Sequence, residues 1–241
     1  MNDLVLKNKN CLITGATGGI GKEIAIDLAK KSCNIFLTST NSKKLEQLKK
    51  QLKNINHKIK IESFSTDLTI KQNIDELINT INEKFQSLDI LINSAGIFTI
   101  KSINKSTLDD FEKTINLNVK LPFILSKEFA KNMAKKKWGR IVFLGSSSSY
   151  IGFENGSVYC TSKHAILGLS RSLNAEFKKK NVRVMCISPS STQTEMGKIS
   201  SDQDFSTFLN PKDVAQYITS VLLFDNEMMV DESRLNRIKM K

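Results

Sequence analysis

Cysteine and histidine are scarce and poorly placed for metal binding. Four cysteines and two histidines stand among 241 residues. Cys11, Cys33, Cys160 and Cys186 form no Cys-x-x-Cys pair, and His57 and His164 lie far apart in the chain. No metal site is expected; the thiols read as reduced and mostly buried. Long apolar runs are also missing, since none reaches the roughly 20 residues a membrane span needs. The opening MNDLVLKNKNCLITG holds no apolar signal region with a cleavage site, because a strand-like stretch begins almost at once. A cytoplasmic protein with no membrane partner is therefore expected. Linkers and internal repeats are absent, so residues 1–241 read as one domain.

What is present suits a soluble globular protein. Hydrophobic residues make up 40% and charged residues 25%, ordinary values for such a protein. The net charge is +12. A basic surface attracts acidic carriers and phosphorylated ligands. The lysines are spread over many helices and no recognised binding module accompanies them, so no nucleic-acid partner is expected.

Short apolar runs alternate with amphipathic stretches. The strands read are 11–14, 34–38, 60–64, 88–93, 140–145 and 182–188. Val, Ile and Leu dominate them, as in strands buried on both faces. Helical patterns fill 20–31, 42–54, 70–85 and 159–180. This alternation predicts an α/β fold with a doubly wound parallel sheet, whose ligands bind beyond the carboxyl ends of the strands.

Two motifs sit at such ends. Residues 14–21 read TGATGGIG, between the first strand and the first helix. Gly15, Gly19 and Gly21 let the backbone turn tightly and approach a pyrophosphate, and the helix start supplies free N–H groups. A Thr and three Gly at these offsets arise by chance in roughly one such chain in a thousand. The second motif is Tyr159 with Lys163, four apart on one helical face. A tyrosine that exchanges protons near neutrality must fall from about 10 to roughly 7–8, which takes about 3–4 kcal/mol. A neighbouring cation supplies about that much. Tyr-x-x-x-Lys alone is weak, with about 0.4 chance occurrences expected in a chain this rich in lysine. The context adds weight: Ser146 ends the strand that precedes this helix, so its hydroxyl can hold a carbonyl oxygen beside the phenol.

With these residues in view, the chain resembles the short-chain dehydrogenase/reductase family over roughly residues 5–225, and within it the 3-oxoacyl-(acyl-carrier-protein) reductases. TGATGGIG is similar to the family's cofactor turn, Asn93-Ser94-Ala95-Gly96 to its NNAG motif, GRIVFLGS at 139–146 to the strand ending in the active-site serine, and YCTSK at 159–163 to its YxxSK helix. INLNVKLPF at 115–123 resembles the stretch bearing the active-site asparagine, here Asn118. SPSSTQTEM at 188–196 resembles the segment around the nicotinamide.

The resemblance implies a single Rossmann-type domain with about seven strands flanked by helices. It makes Tyr159 the proton donor or acceptor, Lys163 the group that lowers its pKa and binds the nicotinamide ribose, Ser146 the carbonyl holder, and Asn118 the holder of a relay water. It assigns cofactor contacts to Gly15, Thr17, Gly18, Gly19, Ile20, Gly21, Ser39, Thr40, Asp67, Leu68, Asn93, Ala95, Gly96, Pro189, Thr192 and Thr194, besides Tyr159 and Lys163. On their own, Asp67 reads as a helix cap and Asn118 as a polar residue inside a helix. Family members pair through helices near 107–135 and 159–180, which implies a homodimer or homotetramer.

The second strand ends in uncharged Ser39 and Thr40, followed by Lys43 and Lys44. An acidic residue there would pair with the ribose of NAD and repel a 2′-phosphate. NADP(H) is therefore favoured over NAD(H), although the lysines also suit a solvated helix start. The expected reaction is hydride transfer between NADP(H) and a carbonyl or secondary alcohol. A 3-oxoacyl thioester leads as substrate, small molecule or carrier-bound. A sugar, polyol or other small alcohol is the alternative, and a non-catalytic NADP sensor or scaffold is the reading from another class. The closing MMVDESRLNRIKMK departs from the strand and Gly-Gly ending common among the oxoacyl reductases. The segment 190–210 is short, so a small substrate lid is expected.

Overall fold

The structure is a computed structural model, and it describes residues 3–200 and 203–238. Parts of two segments read above, residues 201–202 before the last helix and 239–241 at the C-terminus, lie outside the described residues. In chain order the elements are β1 (Asn10–Thr14), α1 (Gly19–Lys30), β2 (Asn34–Ser39), α2 (Ser42–Ile55), β3 (Ile61–Ser65), α3 (Lys71–Phe85), β4 (Ile90–Asn93), α4 (Leu108–Ile115), α5 (Leu121–Lys135), β5 (Gly139–Leu144), α6 (Ser157–Phe177), β6 (Val182–Pro189), α7 (Pro211–Leu222) and β7 (Glu232–Leu235). The seven strands form one sheet in the order β3-β2-β1-β4-β5-β6-β7, parallel throughout.

Helices cover both faces, which is why the central strands are apolar without alternation. In β1, Cys11 and Ile13 join a core with α1, α2 and α7, while Leu12 joins another with α3, α5 and α6. The helices carry matching stripes. Ile74, Leu77, Ile81 and Phe85 of α3 recur at helical spacing and are all buried; each contributes about 1.5–3 kcal/mol relative to exposure. Asn41 caps α2 by accepting from the Lys44 N–H at 2.9 Å. Thr107 and Asp110 form a reciprocal cap on α4.

The six strands and four helices read from the sequence are present, with ends displaced by at most three residues. The last of these helices, α6, starts at Ser157 and gives way to a tight turn at 178–180, closed by Asn181 with φ 53°. Three consecutive lysines give that last turn nothing to bury, and asparagine tolerates the left-handed closure. Two features were not read. The long helix near 107–135 is interrupted by a π turn at Asn116–Lys120, which separates α4 from α5. The C-terminal segment supplies a seventh strand, β7, in register with β6 from Cys186↔Glu232 to Pro189↔Leu235. Its sequence, ESRL, is an edge strand with charged side chains.

No helix of the described residues is long and apolar enough to cross a membrane. All four cysteines are free and buried.

Candidate active site

The strand order reverses between β1 and β4, where a doubly wound sheet opens a crevice. Gly15 follows β1 with φ +64°, and a Cβ there would lie 2.8 Å from the Ala95 Cα. Only glycine permits both this conformation and this approach. The Thr14 hydroxyl ties the two motifs together by accepting from the Ser94 and Ala95 N–H groups, each at 3.1 Å. Gly19 lies against Thr194, whose methyl would meet an added Cβ at 2.4 Å. The glycine turn and the segment after β6 are thereby closed on each other.

A cleft of about 1120 Å³ runs over these carboxyl ends. Single drug-sized ligands occupy pockets of roughly 300–1,000 Å³, so this cleft can hold a large ligand and more. Thr17, Gly18, Gly19, Ile20 and Gly21 line one part of it, with Gly96, Ser146, Tyr159, Lys163, Pro189, Thr192 and Thr194. Gly18 caps α1 without a side chain, so no side chain blocks the first N–H groups from an anion. The Ser190 hydroxyl lines the same cleft and has no hydrogen-bond partner. A bare helix start, a close glycine backbone and a partnerless buried hydroxyl fit a dinucleotide with its pyrophosphate at α1.

Tyr159 and Lys163 lie in the first turns of α6, facing Ser146 beyond β5. Tyr159 is buried, with the Phe98 ring edge-on at 4.6 Å between centroids. Burial pushes its phenol up to about 12, against a smaller downward pull from the Ser146 hydroxyl. The Lys163 ammonium donates to the Leu144 carbonyl at 2.7 Å and stands 5.6 Å from the Tyr159 ring centroid. Burial brings it down to about 8. Against the expectation from the resemblance, Lys163 does not bring the phenol down here: desolvation dominates, and the phenol is held protonated at neutral pH. The serine run after β5 has a local reason as well. The Ser146 oxygen accepts from the Ser148 N–H and the Ser149 hydroxyl accepts from the Ser146 N–H, both at 3.1 Å, which fixes the turn that presents Ser146.

Asn118 sits in the π turn and is buried. Its side-chain oxygen accepts from the Ile97 N–H at 2.8 Å, and its amide donates to the Ile97 carbonyl and the Ser162 hydroxyl, each at 3.0 Å. The side chain therefore clamps the segment after β4 to α6, one residue from Lys163. The extra residue of a π turn is a frequent mark of functional sites.

Of the other cofactor candidates, Gly15, Ser39, Thr40, Asp67, Leu68, Asn93 and Ala95 are not among the lining residues, and Thr40 and Asp67 are exposed. Gly15 and Ala95 form the packed floor of the turn. Ser39 ends β2 with its hydroxyl 2.5 Å from that of Thr17, and the Thr40 carbonyl accepts from Ser65. The Asp67 carboxylate accepts from the Thr69 N–H and hydroxyl, a turn before α3. Leu68 is buried in the core. Asn93 donates to the Val142 carbonyl and keeps a buried side-chain oxygen without a partner. The Thr194 hydroxyl accepts from the Gly197 N–H at 3.0 Å, and that of Thr192 donates to the Ser190 carbonyl.

The sequence reading missed the far end of the cleft. Phe98, Ile100, Ile151, Phe153, Met196 and Ile199 form an apolar mouth, and Asn236 and Arg237 arrive from beyond β7. Phe98 and Phe153 have centroids 6.2 Å apart. These residues lie on connections with no periodicity, so no local signal marks them.

Comparison with known proteins agrees with this geometry. The family model of the short chain dehydrogenases matches residues 9–204. A 3-oxoacyl-(acyl-carrier-protein) reductase of Buchnera aphidicola is 34% identical over 193 residues, covering 80% of this chain and 77% of the relative. An uncharacterized oxidoreductase of Thermotoga maritima is 32% identical over 216 residues, 89% of this chain and 82% of that one. Among solved structures, an alcohol dehydrogenase from Thermococcus sibiricus complexed with 5-hydroxy-NADP superposes with a TM-score of 0.88 at 22% identity, covering 98% and 99% of the two chains. A 4-hydroxyisoleucine dehydrogenase complexed with NADH gives 0.82 at 30% identity, over 95% and 98%. The matched length, the parallel sheet and the Ser-Tyr-Lys cleft agree: this chain belongs to the short-chain dehydrogenase/reductase family of NAD(P)-dependent oxidoreductases.

Proposed function

We propose that this chain reduces a ketone with NADPH, and that its substrate is a 3-oxoacyl thioester or a similar acyl ketone. The single observation that carries this reading is the buried Tyr159, held protonated beside Ser146 and Lys163 at an apolar mouth. Held at the glycine turn and the segment after β6, NADPH would supply a hydride for the carbonyl carbon. Ser146 holds the carbonyl oxygen, and Tyr159 gives that oxygen its phenol proton, so the product is the alcohol. The phenolate left behind faces the Lys163 ammonium, which stands 5.6 Å from the ring centroid, and solvent returns its proton. Burial pushes the phenol up to about 12, so it carries its proton at neutral pH, the form that protonates a carbonyl oxygen.

The choice of NADPH rests on this chain's own residues, since the solved relatives include both cofactors. Ser39 offers a hydroxyl and no carboxylate at the end of β2, and Lys44 reaches the cleft. The apolar mouth favours an acyl chain over a polyol, and the relatives named as oxoacyl reductases support the thioester. Association into a homodimer or homotetramer would use α5 and α6, where Phe123 is half exposed beside Leu173 and Phe177.

The test is oxidation of NADPH by purified protein against a panel of oxoacyl thioesters, simple ketones and keto sugars. The thioesters should turn over best. Tyr159→Phe should lower kcat about 10²- to 10⁴-fold and leave NADPH affinity unchanged. Full activity in that variant would overturn the mechanism. Tight NADPH binding with no oxidation by any carbonyl would favour a cofactor sensor instead.

A further inference from the structure

The cleft has one cationic group that the reaction above does not use. Arg237 follows β7 by two residues and lines the cleft at the flank farthest from β2 and β3. The strand that delivers it is well held. Glu232 accepts from the Arg171 Nε at 2.5 Å and from the Tyr150 hydroxyl at 3.1 Å, and the Ser233 and Tyr217 hydroxyls meet at 2.6 Å. The Ser190 N–H donates to the Leu235 carbonyl at 2.8 Å, which joins the end of β7 to the active-site segment.

The guanidinium itself is positioned by neutral groups. It donates to the Thr207 hydroxyl at 3.0 Å and to the Gln203 side-chain oxygen at 2.8 Å, and its plane lies 5.0 Å from the Phe208 ring centroid. Its Nε is buried without a partner. No carboxylate of the described residues pairs with it. Nearby Asp204 turns its carboxylate to the Ser206 N–H, and Glu195 on the cleft rim is paired with Lys198. Glu154, the remaining carboxylate of the rim, lies on the loop after β5. An arginine carries five donors in a fork that matches carboxylate and phosphate. Here two are used, by uncharged acceptors, and no carboxylate of the described residues balances the charge beside the apolar mouth.

We infer that Arg237 recognises an anionic group on the carbonyl substrate, so that the substrate is a ketone with an acyl body and a carboxylate or phosphate at its far end. This rests on the ketone-reductase reading above. A free 3-oxo acid and a phosphopantetheine thioester share the required chemistry. They differ in which oxygens meet the arginine, and the measurement distinguishes them. The 2′-phosphate of the cofactor is an unsuitable occupant, because β2 lies four strands from β6 and five from β7.

The experiment compares three ketones sharing one acetoacetyl body: acetoacetate, acetoacetyl-4′-phosphopantetheine, and neutral acetoacetyl-pantetheine. In the native protein at least one anionic ketone should have the lower KM, and raising the salt concentration should raise that KM while leaving the neutral one flat. Preference for acetoacetate identifies a free oxo acid, and preference for the phosphopantetheine identifies the thioester. Arg237→Gln should raise KM for the preferred anion roughly 10- to 100-fold, with kcat held within about twofold. Arg237→Lys should fall between, as a point charge without the fork. The neutral thioester should be unaffected by either. Equal KM values for all three ketones in the native protein overturn the inference, as does an equal effect of Arg237→Gln on charged and neutral substrates. Failure to reduce any of the three, or any ketone of the panel, would instead overturn the reductase reading. The salt dependence is read on the native protein, so it stands even if a variant folds poorly.

Discussion

Replacing Lys163 with methionine should make the cofactor-free protein more stable while destroying its activity. Lys163 is buried, and burial holds its ammonium at about 8 against an ordinary 10.5. At pH 7 the side chain is charged in both folded and unfolded chains, and folding must desolvate it. The gap between the two values corresponds to about 3 kcal/mol of lost stability. Methionine removes that penalty and gives up the hydrogen bond to the Leu144 carbonyl, worth about 1 kcal/mol. A net gain of about 2 kcal/mol remains, or a melting temperature higher by roughly 4–8 °C for a chain of this size. The gain must depend on pH in a definite direction. Because the folded value is depressed, the unfolded chain binds more protons between about 8 and 10.5, so the native protein gains stability as pH rises through that window. By pH 10 the penalty has shrunk to about 1 kcal/mol, and the advantage of the methionine variant should be nearly gone. Thermal unfolding of both proteins without cofactor at pH 7 and pH 10 measures this. A variant that melts lower than the native protein at pH 7, or whose advantage is the same at both pH values, would refute the reasoning. Buried cationic lysine that costs stability is what a site kept for chemistry looks like.

Two further substitutions probe the cofactor end. Gly15→Ala places a side chain at φ +64° and 2.8 Å from the Ala95 backbone; chemical denaturation should show a loss of about 2–3 kcal/mol, with weaker cofactor binding. Ser39→Asp puts a carboxylate at the end of β2 beside Thr17, and the ratio of kcat/KM for NADPH over NADH should fall at least about tenfold. An unchanged ratio would remove the basis for preferring NADPH.

Much of this was legible in the sequence for a physical reason, and the remainder was hidden for a related one. A strand buried on both faces has to be a continuous apolar run, so β1, β2, β4, β5 and β6 announce themselves, while β3, IESFS at the other edge, gives a weaker pattern. The edge strand β7 has no such duty, and ESRL carries charge because its outer side is bare. Asn118 fell in a segment with helical periodicity, and one additional residue in a helical turn leaves that pattern almost unchanged. Tyr159 and Lys163 were readable because their chemistry needs a fixed separation, and one helix supplies it through neighbours four apart. The glycine turn was readable because close approach to a pyrophosphate demands missing side chains at set offsets. Recognition of the substrate's body needs neither. Phe98, Phe153, Met196 and Arg237 come from four separate connections and meet only because the sheet brings its carboxyl ends together. Chemistry that depends on local geometry leaves a local pattern, and a binding surface assembled across the sheet leaves none. The reaction class could therefore be named from short motifs, while the guanidinium of Arg237 at the cleft had to be found in the folded chain.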